Sequence, residues 1–211
     1  APMFSAKTYI DRREKLKKEI GSGVLLFLGN EESSMNYKDN TYHYRQDSSF
    51  LYFFGLNYAG LNAIIDIDEN IEIIFGDELT MDDIVWMGFQ PTIKDKASKA
   101  GISITKPAAD LEDYLKSVQN KKRKIHYLPP YRPENFIKIF NLLNIHPDKI
   151  SESSSVKLIK AIVNQRNYKS EEEIIEIEKA VNVTAEMHKA AIKMVKPGMT
   201  EAQIAAKVHE I

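Results

Sequence analysis

Cysteine is absent from the 211 residues. That excludes disulfide scaffolds, thiolate zinc sites, iron–sulfur clusters and cysteine nucleophiles. There is no surplus of charge either. Lys plus Arg number 29 and Asp plus Glu number 30, a net charge of −1. A nucleic-acid binder usually shows a basic excess, so none is expected as a partner. Long hydrophobic runs are also missing. The apolar run Val24–Leu28 is short, whereas a membrane-spanning helix needs about 20 such residues. The N-terminus lacks a charged segment followed by an apolar stretch, so no secretory signal is read there and a cytoplasmic location is expected. Gly21-Ser22-Gly23 lacks the Lys-Ser/Thr that would complete a phosphate loop, and His-Glu-x-x-His does not occur.

What is present reads as an ordered α/β chain. Ser5 to Ile20 has apolar residues at helical spacing, and Gly21 and Gly23 stop it. Val24–Leu28 suits a buried central strand. Ala63–Ile67 and Ile71–Phe75 flank Asp68-Glu69-Asn70 and predict a β-hairpin. Gly101–Ile104 and Lys124–Leu128 are two further strand candidates. Helical patterns cover Thr80–Met87, 93–100, 108–118 and 134–143. Strands alternating with helices argue a layered α/β domain.

The texture changes near residue 150. Val156–Asn164 is a short helix candidate. Ser170 with Glu173 is a capping-box pattern that opens a long helix with Ile174, Ile177, Val181, Thr184, His188, Ala191 and Val195 along one face. Thr200 with Gln203 repeats the pattern. The second helix stops in mid-stripe at Ile211, which suggests a truncated second domain. The stripe Ile174–Val195 is then expected to need a partner surface.

The most informative stretch is Tyr37–Tyr58, in which eight of 22 residues are aromatic against 9% for the whole chain. Two readings are open. The aromatics form a cluster under the sheet, with Arg45–Asp47 as local polar ties. Alternatively they form a surface for a peptide or partner, where Tyr and Arg are favoured.

Asn40-Thr41-Tyr42-His43-Tyr44-Arg45-Gln46-Asp47-Ser48-Ser49-Phe50-Leu51-Tyr52-Phe53-Phe54-Gly55-Leu56 resembles a segment of the N-terminal domain of Xaa-Pro aminopeptidases. Asp83-Ile84-Val85-Trp86-Met87-Gly88 is similar to a second family segment. Arg166-x-x-Lys169-Ser170-x-x-Glu173-Ile174 and Lys196–Glu201 resemble the opening of the family's catalytic domain. The pieces occur in the family's order and spacing along nearly the whole chain.

The resemblance implies a creatinase-type N-terminal domain over residues 1–165, with a mixed sheet of the ribonuclease-H-like kind flanked by helices. It implies the first two helices of a catalytic domain over residues 166–211. It also implies a parent enzyme that removes an N-terminal residue preceding proline from short peptides. That parent would use two divalent metals, usually manganese, held by two Asp, one His and two Glu, and would form a homo-oligomer. The metals would activate a hydroxide and stabilise the developing oxyanion. None of those ligands can be placed here, since no Asp follows Asp148. This chain is therefore expected to bind no metal and to be inactive, serving oligomer contacts and active-site access. Trp86 is the single candidate substrate-site residue, because in some relatives the matching tryptophan reaches a neighbouring subunit's active site. A prolidase or creatinase relative, or a non-enzymatic peptidase-like binding module, is the alternative parent.

Overall fold

The computed structural model describes residues 3–37 and 40–210. The chain divides into two compact units, Ala1–Gln165 and Arg166–Ile211.

The first unit is built on five strands: β1 (Val24–Leu28), β2 (Asn62–Asp66), β3 (Ile71–Phe75), β4 (Ile104–Lys106) and β5 (Ile125–Tyr127). Their spatial order is β4-β3-β2-β1-β5. The β1/β2 and β2/β3 pairs are antiparallel, while β1/β5 and β3/β4 are parallel. The sheet is therefore mixed, as the sequence reading expects.

Side chains alternate across a strand, so an unbroken apolar run can serve two cores. Leu25 and Phe27 of β1 join Ala63, Ile65 and Ile74 on one face. That face is covered by α1 (Ala6–Ile20), α2 (Ser48–Phe54), α4 (Ile93–Lys99) and α8 (Val156–Asn167). Val24 and Leu26 join Ile64, Ile73 and Phe75 on the other, under α5 (Asp110–Asn120), α6 (Pro133–Leu143) and the short α7 (Pro147–Ile150).

Three local features differ from the sequence reading. The stretch 48–54, read only for its aromatics, is helical. Asp47 caps it by accepting the Phe50 N–H at 2.9 Å. Gly55 ends it in the left-handed region, where a Cβ would lie 2.3 Å from the Tyr9 ring. The strand expected over 101–104 begins instead at Ile104, because Gly101 has φ of 73° and Ile102 turns into the core. The basic run Lys121–Lys124 is more than a solvated loop. Arg123 reaches Asp66 and Asp68 on the β2–β3 hairpin, with Tyr114 donating to Asp66 at 2.5 Å. Burial alone would raise Asp66, but the bonds from Arg123 and Tyr114 hold its carboxyl below the usual range.

Two polar groups lock helices to the sheet. Arg13 of α1 has no exposed surface. It donates to Phe53 O at 2.8 Å and Ala100 O at 2.6 Å and pairs with Glu72 at 3.1 Å. His126 of β5 is buried, with Nδ1 2.5 Å from Ser155 Oγ. Ser155 Oγ also accepts the Leu158 N–H, so it anchors the start of α8.

The second unit consists of α9 (Glu171–Met194) and α10 (Glu201–Val208). Both carry the expected capping boxes, Ser170 with Glu173 and Thr200 with Gln203. No residue of either helix is buried.

Two outcomes follow for stability. Arg13→Ala leaves two buried carbonyls without their donor, while Glu72 keeps its pairing with Lys17. It should cost about 3–5 kcal/mol, read as a lower urea midpoint. His126 has its pKa drawn down by burial, with Lys124 and Lys157 adding to the effect. Above about pH 6.5 the imidazole is neutral in both states and the contribution is intact. As pH falls below that value, the unfolded chain takes a proton that the folded chain resists, and stability is lost. His126→Asn should flatten this part of the pH dependence when urea midpoints are compared at about pH 7.5 and about pH 5.5.

Candidate functional site

Trp86 lies on α3 (Met81–Met87), a seven-residue helix held by its own ends. The Thr80 N–H donates to Asp83 Oδ2 at 2.9 Å and the Asp83 N–H to Thr80 Oγ1 at 3.2 Å, a complete capping box. Gly88 closes the other end with φ of 76°. No residue of α3 is buried. Trp86 is 87% exposed, with Met81, Val85 and Phe89 also outside. Met81 and Val85 stand four residues apart on α3 and so fall on one side, while Phe89 follows Gly88 beyond the helix. Exposed apolar groups at this density mark an interaction surface.

The stretch 40–58 divides into three sets by chemistry. Phe50, Phe53 and Phe54 enter the core. Gln46 is buried, and all its hydrogen-bonding groups have work. Its Oε1 accepts the backbone N–H of Asn30 at 2.9 Å and of Asp47 at 3.0 Å, and its Nε2 donates to Leu56 O and Tyr58 O. Tyr44 donates its hydroxyl to Tyr58 O at 3.0 Å. Burial, with Glu31 adding to it, pushes that phenol's pKa well above its ordinary value, so it stays a donor. The third set, Tyr42, His43 and Arg45, is exposed. The local polar ties expected of Arg45–Asp47 are thus divided unequally. Gln46 makes the ties, Asp47 caps α2, and Arg45 contributes its backbone carbonyl to Asn30.

These exposed residues open onto a cleft of about 490 Å³. It lies past the carboxyl ends of the parallel neighbours β1 and β5, where ligands commonly bind in open α/β sheets. β1 runs on into Gly29 and Asn30, and β5 into Leu128-Pro129-Pro130-Tyr131. Gly29 is required there, since a Cβ would stand 2.1 Å from Leu61 O. Asn30 is buried and donates Nδ2 to Arg45 O at 3.0 Å and to Tyr131 Oη at 3.2 Å. Glu31 pairs with Lys138 at 2.5 Å. Arg132 pairs with Glu134 at 2.8 Å and donates to Ser33 Oγ. Asn30, Tyr131 and Arg132 escaped the sequence reading. The available signal was position alone, just beyond two strands.

The five histidines do not converge. His126 is a core residue, His146 caps α7 by accepting the Asp148 N–H, and His43, His188 and His209 are exposed. Among the described residues no group of three or more His, Asp or Glu is placed to hold a metal ion. The set of two Asp, one His and two Glu that the resemblance implies is not brought together among the described residues, and no chemical step is assigned to a metal here.

The sequence matches the family described as Aminopeptidase P, N-terminal domain, over residues 9–127. It is 26% identical over 212 residues to a protein of Metarhizium robertsii named as a probable Xaa-Pro aminopeptidase, covering 97% of this chain and 43% of that one. To the Xaa-Pro aminopeptidase of Escherichia coli it is 24% identical over 221 residues, covering 98% and 48%. The backbone matches the low-pH form of E. coli aminopeptidase P with a TM-score of 0.81 at 20% identity, covering 98% of this chain and 49% of that one. Pseudomonas aeruginosa aminopeptidase PepP gives the same TM-score and identity, with 98% and 48% covered. The chain thus spans about half the length or less of the relatives it matches. With the mixed sheet, the 40–56 segment and the match over 9–127 all in agreement, this chain belongs to the aminopeptidase P N-terminal domain family.

Proposed function

We propose that this chain is the non-catalytic N-terminal part of a metal-dependent Xaa-Pro aminopeptidase acting on short peptides with proline in the second position. The observation that carries this reading is the family match, joined to relatives that bear the Xaa-Pro aminopeptidase name and are about twice as long. The two divalent ions, manganese in this proposal, belong to that further length of the parent. The enzyme works in the cytoplasm. Among the described residues no helix is long and apolar enough to cross a membrane.

In this proposal the α3 surface serves contacts between copies of the parent and narrows access to the metal site. Trp86 contributes to the substrate site of a neighbouring copy. Support comes from its 87% exposure on a helix that gives nothing to its own core. A tryptophan left in water offers a large, rigid apolar face whose cost is recovered on contact.

Assayed with a Xaa-Pro peptide and added Mn²⁺, this chain should show no turnover, and measurable release of the first residue would overturn the reading. In the full-length parent, Trp86→Ala should lower kcat/KM on short peptides about tenfold. Its urea midpoint should stay put, because the side chain is not packed. Unchanged kinetics would remove Trp86 from the site.

A further inference from the structure

The cleft beyond β1 and β5 has a charge pattern that scaffolding does not require. Its own carboxylate, Glu31, is neutralised by Lys138 at 2.5 Å, and Arg132 is balanced by Glu134 at 2.8 Å. Arg45 remains. It is exposed, and among the described residues no carboxylate pairs with it. The Tyr131 phenol accepts a hydrogen from Asn30 Nδ2 at 3.2 Å, which leaves its own proton free to donate. The lining is therefore rich in unspent donors and has no unspent anion.

We infer that this cleft binds the carboxylate of a short peptide, with Arg45 as the charged donor and Tyr131 as the neutral one. A guanidinium presents paired N–H groups that match the two oxygens of a carboxylate. A volume of about 490 Å³ lies within the ~300–1,000 Å³ of ordinary ligand sites and exceeds what a bare inorganic anion fills. Tyr42 and Tyr131 are both exposed at the cleft and offer ring faces to the apolar body behind the carboxylate. The choice of peptides among organic carboxylates rests on the proposed function. The site itself contains no hydrolytic group, so it retains ligand without turning it over.

The test is equilibrium binding to this chain, by calorimetry, of the tripeptide Gly-Pro-Phe and of the same peptide with an amidated C-terminus. The free acid should bind at least about tenfold more tightly than the amide. Arg45→Gln should abolish that difference with the circular dichroism spectrum unchanged, since the side chain supports nothing else. Arg45→Lys should fall between the two, keeping the charge without the paired geometry. Tyr131→Phe should weaken binding severalfold. Equal affinity for acid and amide, no binding at millimolar peptide, an unaffected Arg45→Gln, or displacement by an equal concentration of inorganic phosphate would each overturn the inference. Because no turnover is measured, such a failure leaves the peptidase reading to be judged by its own assay.

Discussion

The parallel pairing of β1 with β5 is the constraint on which the rest of the molecule depends. It joins Val24–Leu26 to Ile125–Tyr127 across about a hundred residues of sequence. Closing so long a loop costs chain entropy that local structure cannot return. The return comes from both faces of the sheet at once. Leu25 faces one core and Leu26 the other, and each is shielded from water. The same pairing brings Asn30 beside Tyr131, so the cleft exists only because these two strands run in the same direction.

Polar groups then fix what the apolar cores leave free. Hydrophobic burial is not directional, and α1 could slide along the sheet without losing much of it. Arg13 prevents that by holding the ends of α2 and α4 and the side chain of Glu72 in one place. Gln46 does the same for the loops around the cleft, and Arg123 for the hairpin. Each such group is a buried or partly buried polar side chain with bonds to residues ten or more positions away in sequence. Their value is in selecting one arrangement among several of similar apolar area.

Much of the fold was legible because the relevant signals are local. An unbroken apolar run gave β1, isoleucine-rich runs around Asp68-Glu69-Asn70 gave the hairpin, and Ser170, Thr80 and Thr200 gave helix starts through hydrogen bonds that span three residues. The segment 48–54 was not legible as a helix. Its aromatics favour strands by propensity, and only the Asp47 cap and the burial of three phenylalanines on one side decide otherwise. The strand that contains Ile104 was read as starting three residues early, since the turn at Gly101 and the burial of Ile102 override a run that alternates well. The cleft was the least legible part. Asn30, Arg45 and Tyr131 are distant in sequence, and nothing short of the strand pairing brings them together.

The two surfaces of the first unit differ in how freely they could change over generations. Arg45 sits on a loop whose backbone is tied by Gln46 and Asn30, and the Tyr131 phenol is itself bonded to Asn30, so rewriting the cleft risks the fold beneath it. α3 carries no such debt. It begins with Thr80 and Asp83 bonding each other, ends at Gly88, and lends no side chain to either core. A lineage could replace Met81, Val85, Trp86 or Phe89 with little loss of stability. This short helix is therefore the place where a shared domain can acquire new neighbours while everything else stays the same.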